Sequence, residues 1–394
     1  MKLSPETIAR VEEYIDAHKN EMIAMWRDFV DTRSDTLNKE KTEAMAAKLV
    51  KAFQSIGCTC ETFEVSERSG PGIVAWWGKE NPGTPVLFSG HYDTVPLKGE
   101  HPFTIDEENR AHGLGCLDMK GGIVMSIWIV KALQALGWHE RPVKLVFVGD
   151  EENGHQFSTT KEFLLEHTGG AAAAFNMETG LVSNAICVGR KGTGQATLTV
   201  HGVAAHSGNN YLEGRSAISE MANKIKEVEA LTDLAANTTV AVTMLQGGTV
   251  ENSIPPICTA IVDLRFGSVS ERNRVMKALE DICAVTTVEG TSAEFEYREF
   301  MAPFDTTPDV KALADFVSTV SEDLGCGSMG RVFLGGGSDA SFVTLAGVPC
   351  ICSIGVRGQF NHSDQEYALV KSLFQRAKLL ACCVMRLDEF EARG

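Results

Sequence analysis

The sequence has few positive charges for its length, and it lacks several patterns that mark other classes of protein. It contains 36 lysine and arginine residues against 52 aspartate and glutamate residues, for a formal net charge of −16. Such an acidic chain is poorly suited to bind nucleic acid or an anionic membrane. Its longest apolar stretch, at 121–133, is far shorter than a membrane span. Residues 1–26 are charged throughout and lack the apolar core of a signal peptide, so we expect a cytoplasmic protein.

Cysteine is not scarce, but its spacing excludes a zinc ribbon. The 11 cysteines are scattered, and none follows the paired C-x-x-C pattern of such sites. An odd number without a secretory segment indicates reduced, buried thiols. Cys116 is singled out because it lies two residues before Asp118, a candidate metal ligand. The chain also has no internal repeats and no low-complexity segments.

The length and the change of pattern along the chain predict two domains. A chain of 394 residues exceeds the roughly 250–300 residues at which single cores tend to split. Residues 1–189 and 302–394 alternate buried strands with helices, which is typical of an α/β domain with a mostly parallel sheet and helices on both faces. Residues 190–301 follow a β-α-β-β-α-β order with alternating strands, which indicates an inserted α+β sandwich.

The individual predicted elements follow from apolar periodicity. Helices are predicted at 4–31, 38–56, 118–138, about 215–231, 270–287 and 366–388. Strands are predicted at 72–78, near 84–90, within 141–149, within 171–176, at 192–204, and near 239–246, 257–266 and 293–299.

Five stretches place imidazole or carboxylate groups just after a strand or in a loop. They are "SGHYDTVP" (89–96), "GLGCLDMKGG" (113–122), "GDEENG" (149–154), "NMETG" (176–180) and "QFNHSDQEY" (359–367). Groups at the carboxyl ends of parallel strands meet at one edge of a sheet. Two histidines with several carboxylates suit zinc or another first-row metal. Five protein ligands fit two metals about 3.5–4 Å apart that share a bridging carboxylate better than they fit one catalytic metal.

Each of these residues alone has an ordinary structural explanation. A lone histidine after a strand is more often a hydrogen-bonded loop residue than a ligand, and a lone glutamate at a turn is usually a solvated cap. Only the joint pattern points to a metal site.

The same stretches resemble a known family. "GHYDTVP", "DMKGG", "DEENG", "HGVAAHSG" and "NHSDQEY", in this order, are similar to the motifs of the M20 metallopeptidases. That group includes carboxypeptidase G-type glutamate carboxypeptidases, desuccinylases, acetylornithine deacetylases, aminoacylases and tripeptidases. The stretch "GGGSDASFVTLAGVP" (335–349) favours the glutamate carboxypeptidase branch.

The resemblance implies a set of metal ligands in this sequence. One metal would be held by His91, Asp118 and Glu178. The other would be held by Asp118, Glu152 and His362, with Asp118 bridging. Glutamate at position 178 is compatible with the carboxypeptidase G-like branch. The cofactors expected are two divalent ions, zinc first, with cobalt or manganese as alternatives.

Two further acids next to these ligands receive catalytic roles from the resemblance. Asp93 would accept a hydrogen bond from His91 and fix its tautomer; its alternative role is to cap a turn. Glu151 would be the general base that takes the proton of the attacking water. Asp150 stays unassigned, as a structural acid at the end of a strand.

The resemblance also implies roles for residues in the inserted domain and the glycine loop. His206 would donate to the reaction oxyanion, in its own site or in that of a neighbouring subunit; the alternative is a histidine capped by Ser207. Asn252 and Arg265 would hold the substrate, with Arg265 pairing to its α-carboxylate. A surface ion pair is the alternative for Arg265. Gly336 would let backbone amides approach the substrate, unless the loop is only flexible.

These residues together lead to one preferred function and several alternatives. The preferred function is hydrolysis of an amide bond next to a free carboxylate, as in a glutamate carboxypeptidase, on a small peptide or N-acyl amino acid. Deacylation of an N-acyl amino acid is the second candidate. A non-catalytic binding protein that kept the fold is a further alternative, but the intact Glu151 and the five candidate ligands argue against it. A protein with one structural metal would leave the second carboxylate–histidine set unexplained. A homodimer through the inserted domain is expected from the family.

Overall fold

The computed structural model of the chain describes residues 3–391, which divide into two compact units. The first unit contains residues up to 189, residues 306–333 and residues 338 onward. The second contains residues 190–305 and 334–337. No helix among the described residues is long and apolar enough to cross a membrane.

Eleven α-helices lie in the described part of the chain. They are α1 Pro5–Ala17, α2 Lys19–Val30, α3 Lys39–Ser55, α4 Gly121–Ala135, α5 Thr160–Thr168, α6 Ala217–Glu229, α7 Val269–Ala284, α8 Pro308–Asp323, α9 Ala340–Leu345, α10 Val370–Met385 and α11 Asp388–Glu391. Short non-α helical turns add Cys116–Lys120, Glu151–Asn153 and Tyr211–Glu213.

Nineteen strands are present in the same residues. They are β1 Thr59–Phe63, β2 Gly72–Trp77, β3 Val86–His91, β4 Thr104–Ile105, β5 Arg110–His112, β6 Val143–Val148, β7 Ala173–Asn176, β8 Gly180–Leu181, β9 Ile186–Arg190, β10 Gly192–His201, β11 Ala205–His206, β12 Thr239–Gly247, β13 Ser253–Ile254, β14 Ile257–Phe266, β15 Ser292–Met301, β16 Arg331–Leu334, β17 Cys350–Ile351, β18 Arg357–Gln359 and β19 Tyr367–Leu369.

A six-stranded sheet forms the centre of the first unit. Its order is β1-β2-β6-β3-β7-β17, and the pairs β6–β3, β3–β7 and β7–β17 are parallel. The predicted α/β class is confirmed, although β1 and β2 pair antiparallel at one edge. Every residue of β3 and β6 is buried, and α4 is buried along nearly its whole length. Strands and helices that are apolar all round therefore form the core.

The ends of the helices follow from local chemistry. Ser4 caps α1 by accepting a hydrogen bond from the Thr7 amide, with Pro5 in the first turn. The helix predicted over 4–31 is in fact α1 and α2, separated at His18. The His18 ring donates through Nδ1 to the Tyr14 carbonyl at 2.7 Å and packs on the Tyr14 ring. The break therefore comes from a side chain that competes for a helix carbonyl.

The second unit is an antiparallel sheet with two helices. The sheet order is β12-β14-β10-β15, and every neighbouring pair is antiparallel. Burial alternates along β10 and β14, so each strand has one core face. Buried residues of α6 and α7, such as Met221 and Leu279, join those of the sheet in one hydrophobic cluster. The predicted β-α-β-β-α-β order is present in this unit.

Candidate active site

Three parallel strands of the first unit deliver the candidate residues to one edge of the sheet. His91 is the last residue of β3 and pairs with Val148, the last residue of β6. Asp150, Glu151 and Glu152 follow β6 directly. Glu178 comes two residues after β7, whose Asn176 pairs with Ser89 of β3. Matching ends of parallel strands bring these side chains together, as the sequence predicted.

Asp118 reaches this edge from the distorted turn Cys116–Lys120 that precedes α4. The start of α4 fits closely against the backbone before Glu178. A Cβ atom on Gly122 would lie 2.1 Å from the Met177 carbonyl oxygen. Gly122 is therefore explained by this close approach of backbone to backbone, whereas a Cβ atom on Gly121 would lie 2.5 Å from the Val356 side chain.

The first cluster consists of His91, Asp118 and Glu178, all buried. The Nε2 atom of His91 lies 3.2 Å from Asp118 Oδ1 and 3.3 Å from Glu178 Oε1. The Nδ1 atom of the same ring donates to the backbone carbonyl of Asp93 at 3.1 Å. Because a carbonyl can only accept, Nδ1 carries the hydrogen, and Nε2 faces the carboxylates.

The second cluster consists of Asp118, Glu152 and His362. The Nε2 atom of His362 lies 3.1 Å from Asp118 Oδ2 and 3.0 Å from Glu152 Oε2. Asp118 thus turns one oxygen to each histidine and belongs to both clusters. In each cluster the three donor atoms lie within 4.8 Å of one another. Two such nitrogen and oxygen donor sets with a shared carboxylate fit two first-row metal ions.

Asp93 ties the first cluster to the acidic turn. Its Oδ1 accepts a hydrogen bond from the Glu151 amide and its Oδ2 accepts one from the Glu152 amide, each at 3.2 Å. Its Oδ1 also lies 3.3 Å from His91 Nδ1. Asp93, which is fully buried, therefore orients His91 through its carbonyl and carboxylate oxygens, and it holds the backbone of both glutamates through its carboxylate.

The titratable groups of the site strongly perturb one another. Hydrogen bonds to Asp118 and Glu152 raise the pKa of His362 to about 11. Burial, followed by the charge of Asp118, raises the pKa of Glu152 to about 7. Burial also acts to raise the pKa of Asp118, but hydrogen bonds with His362 and His91 outweigh it and lower that pKa.

Glu151 has the environment of a proton acceptor with raised basicity. Burial raises its pKa well above the usual value. The nearby His91 opposes this shift, whereas the charges of Glu178 and Asp339 add to it. A carboxylate tuned upward in this way is suited to general-base chemistry near neutral pH.

Asp150, left unassigned by the sequence, belongs to a buried polar network behind the acidic turn. The ring of His155 bridges Asp150 Oδ1 at 3.0 Å and Asp339 Oδ1 at 2.6 Å. Thr160 donates a further hydrogen bond to Asp150 Oδ1 at 2.9 Å. His155 therefore links two acids by hydrogen bonds and anchors the turn that carries Glu151 and Glu152.

Glu366 is a residue of the site that sequence reasoning missed. Its carboxylate is 3% exposed and accepts hydrogen bonds from the amides of Gly115 (3.0 Å), Leu117 (2.8 Å) and Asp118 (3.0 Å). It thus holds the backbone of the turn that presents Asp118. The only signal was its place in the stretch "NHSDQEY" with His362. Asn361 of the same stretch donates to Asp118 Oδ2 at 2.7 Å.

His206 lies in the second unit, exposed at the end of β11. The amides of Gly208 and Asn209 each donate to its Nδ1 at 3.1 Å. In the neutral ring the hydrogen is therefore on Nε2, which has no partner among residues 3–391. The amide of Ser207, the residue considered as a cap of His206, donates to the Asn252 carbonyl at 2.9 Å.

The other predicted substrate-binding residues also lie in the second unit. Asn252 is exposed and adjoins His206 through this backbone bond. Arg265 on β14 pairs with Asp263 at 3.1 Å, which is the surface ion pair considered from the sequence. Gly336 is exposed, and its carbonyl accepts a hydrogen bond from Arg190 at 3.2 Å. Their roles toward substrate stay predictions.

Two clusters of imidazole and carboxylate groups lie at the carboxyl end of a parallel sheet, next to Glu151, whose pKa is raised. Such an arrangement is typical of a metal-dependent hydrolase. Comparison with known proteins agrees. The sequence profile described as "Peptidase family M20/M25/M40" matches residues 87–386. The chain belongs to this family, and it is a metal-dependent peptidase or amidohydrolase.

Several characterised relatives are moderately similar in sequence. Carboxypeptidase G2 of Pseudomonas sp. (strain RS-16) is 27% identical over 312 residues, which cover 77% of this chain and 74% of that protein. Aminoacylase-1 of Sus scrofa is 26% identical over 335 residues, covering 78% and 80%. A succinyl-diaminopimelate desuccinylase of Cereibacter sphaeroides is 27% identical over 311 residues, covering 71% and 78%.

Solved structures share the fold. An aminopeptidase PepT from Bacillus cereus matches with a TM-score of 0.74 and 19% identity, covering 94% of this chain and 99% of that one. A tripeptidase from Staphylococcus aureus matches with a TM-score of 0.73 and 18% identity, with the same coverage. At these identities the likeness supports the fold alone.

Proposed function

We propose that the protein hydrolyses an amide bond next to a free carboxylate, using two divalent metal ions and Glu151 as the general base. The observation that carries this proposal is the pair of donor sets that share Asp118 beside Glu151. His91, Asp118 and Glu178 would hold one ion, and Asp118, Glu152 and His362 the other. Zinc suits the mixture of imidazole and carboxylate, and cobalt and manganese also accept it.

Each residue of the first unit then has a definite task. Bound divalent ions would supply the Lewis acidity that activates water and polarises the amide carbonyl. Glu151 accepts the proton of the attacking water and returns it to the leaving amine. Asp93 holds the amides of Glu151 and Glu152, so that the base stays oriented while its charge changes.

The second unit supplies groups for the substrate. His206 donates from Nε2 to the oxygen that becomes negative during attack, a role supported by the two amides that occupy Nδ1. Arg265 pairs with the substrate carboxylate, because its planar guanidinium can bond both carboxylate oxygens. In doing so it would release Asp263, its present partner. Asn252 and the Gly336 backbone complete the polar contacts.

A glutamate carboxypeptidase-like exopeptidase is the activity we favour within this class. The similarity to carboxypeptidase G2 and the glutamate at position 178 support it. The similarity to aminoacylase-1 and to the desuccinylases supports the second candidate, deacylation of an N-acyl amino acid. A panel of acyl-glutamates, dipeptides and N-acyl amino acids with added Zn²⁺, Co²⁺ or Mn²⁺, and with a chelator, distinguishes the two.

The decisive test of the mechanism is Glu151→Gln. This variant should keep the metal content of the wild type and lose turnover by about 10²–10⁴-fold, because only the proton acceptor is removed. Metal is counted by mass spectrometry and turnover on the best substrate of the panel. Glu166→Gln, an exposed acid on α5, is the matched control and should change neither. Wild-type turnover in Glu151→Gln would refute the assignment, and loss of metal would make Glu151 a ligand.

We also propose that the protein is a cytoplasmic homodimer. All 11 cysteines are free and most are buried, which suits a reducing compartment such as the cytoplasm.

The proposed dimer interface is at strand β12. This strand is an edge of the sheet in the second unit, and the side chains of Met244 and Leu245 on it are 67% and 56% exposed. An apolar edge strand is a surface that a second copy can cover.

A further inference from the structure

Two arginines in the first unit line a cavity of about 110 Å³ whose lining contains none of the candidate metal ligands. They are Arg357 on β18 and Arg376 on α10. The remaining lining residues are uncharged: Asn184, Ser321, Cys326, Gln375 and Leu379. In a chain with 52 acidic residues, a cavity with two cations and no acid is unusual.

Arg376 is 2% exposed and bonds only neutral acceptors. Its Nη1 donates to the carbonyls of Ser353 at 2.7 Å and Gly355 at 3.0 Å, and its Nη2 donates to Asn184 Oδ1 at 3.2 Å. Its Nε is buried without a hydrogen-bond partner among the described residues. A guanidinium has five hydrogens to donate, so this one is not saturated.

Arg357 adds a second uncompensated cation. Its Nη2 donates to Gln375 Oε1 at 3.3 Å, and its Nε is buried without a partner within residues 3–391. Neither Arg357 nor Arg376 forms an ion pair with a carboxylate in that part of the chain. Burial, and then the charge of Arg357, lowers the pKa of Arg376 to about 9. Burial likewise lowers the pKa of Arg357.

These contacts leave a buried positive charge that is costly without a counter-ion. The amide and hydroxyl groups of the lining can add hydrogen bonds but no charge. The cavity volume suits a small inorganic group better than a peptide. A guanidinium presents parallel N–H groups that match the oxygens of phosphate and sulfate.

We propose that this cavity, the Arg357–Arg376 pocket, binds a small tetrahedral oxyanion, either free inorganic phosphate or the phosphate group of a small ester. The pocket lies close to the backbone of the candidate metal ligand Glu178. Gly355, whose carbonyl Arg376 holds, donates through its amide to the Glu178 carbonyl at 2.9 Å. A bound anion would thus fix Arg376 and, through it, the segment that supports Glu178.

The test is calorimetric titration of the full metal-loaded protein with inorganic phosphate, sulfate and glycerol 3-phosphate. We expect one saturable site per chain. Arg357→Gln should weaken it by at least about tenfold, because one charge is removed. Arg10→Gln removes the same charge from an exposed position of α1 and should leave the affinity unchanged. Tighter binding of glycerol 3-phosphate than of inorganic phosphate would show that the pocket takes a phosphate ester. Tighter binding of inorganic phosphate would show that it takes the free anion.

A second variant and a second measurement distinguish a specific loss of anion binding from misfolding of the variant. Gln375→Glu places a carboxylate beside Arg357 and should abolish anion binding by supplying an internal counter-ion. Cys326, the one exposed thiol among the 11, lines the pocket, so phosphate should slow its modification in the wild type. Absence of saturable binding, or unchanged affinity in Arg357→Gln, would overturn the proposal.

Discussion

Asp118 presents its two carboxylate oxygens to two different histidines, so a small displacement of its backbone would disturb both donor sets. Three amides of its turn donate to the carboxylate of Glu366, and Asn361 holds its Oδ2. Such supporting contacts orient metal ligands and commonly affect metal affinity as strongly as they affect activity.

Glu366→Gln should therefore weaken metal binding by about 10–100-fold without removing a ligand. The carboxamide keeps one oxygen acceptor but turns an N–H group toward backbone N–H groups. Metal affinity is measured by competition with a chromogenic chelator. The exposed neighbour Gln365→Ala should bind metal like the wild type. Equal affinities in the two variants would show that the turn does not depend on Glu366.

His362 gives metal binding a defined pH dependence. Its pKa of about 11 means that the ring is protonated at pH 8, whereas a histidine ligand must be neutral. Binding of a cation to the second donor set should release about one proton at pH 8, and affinity should fall roughly tenfold between pH 8 and pH 7. The fall should be steeper below pH 7, where Glu152 also binds a proton. A pH indicator in weakly buffered metal-free protein follows the release during a zinc titration. His362→Gln should lose this proton, and its persistence in that variant would assign it to another group.

For single residues, the sequence predicted the groups that end strands and, through the family resemblance, the supporting residue Asp93, but it did not predict Glu366 or His155. His91, Glu152 and Glu178 follow apolar runs, so their convergence follows from the rules of parallel sheets. Glu366 acts on amides that lie far away along the chain, and no local pattern reveals such a contact. His155 was missed for the same reason, since its partner Asp339 comes from a distant segment.

Among the elements, α6 carries a buried ion pair that organises the second unit. Glu220 and Lys224, one turn apart, lie 3.0 Å from each other with both side chains buried. Glu220 also accepts hydrogen bonds from the amides of Thr287 and Val288, and Lys224 donates to the carbonyls of Ile282 and Val285. The pair therefore anchors the segment after α7 to α6.

Glu220→Ala should destabilise the protein by about 3–5 kcal/mol, because it leaves the buried Lys224 unpaired. The exposed pair Lys277–Asp281 on α7 has the same spacing, and Asp281→Ala should cost about 0–1 kcal/mol. Urea unfolding measures both. Similar losses in the two variants would mean that burial does not decide the effect.

Acid should reduce the difference in stability between wild type and Glu220→Ala. Burial acts to raise the pKa of Glu220, but its amide donors and Lys224 outweigh this and lower it. A carboxylate with a lowered pKa stabilises the fold above its ordinary pKa, and the contribution is lost as pH falls through the folded value. The difference in unfolding free energy between the two proteins should therefore begin to shrink as the pH falls below about 4.

For most segments the sequence predicted correctly whether they form a helix or a strand. It predicted less well where each element ends and which other elements it contacts. Alternating burial in β10 and β14 is visible in the sequence because one face of that sheet is covered and the other is not. The break between α1 and α2 depends on the His18 ring, which also lies 5.4 Å from Trp128 of a distant helix. The antiparallel edge formed by β1 and β2 has no signature in either strand alone.

For the whole molecule, the proposed dimer depends on the edge strand β12. Replacing Met244 and Leu245 together by lysine should weaken self-association by about 100-fold or more, as for residues central to an interface. Light scattering coupled to size-exclusion chromatography measures the mass. Val285→Lys, which changes an exposed apolar residue after α7, should leave the assembly intact. A monomeric wild type, or a dimeric double variant, would contradict this interface.

The first unit is discontinuous, and this sets the order in which the site can arise during synthesis. His91 and Asp118 leave the ribosome early, whereas His362 and Glu366 emerge only after all of the second unit has been made. Domains fold as they emerge, N-terminal parts first. A nascent chain that has not yet reached Glu366 therefore contains His91, Asp118 and Glu178 but lacks the acceptor that holds the turn of Asp118. Binding of an ion at the proposed second donor set would therefore require that the chain has been made through His362.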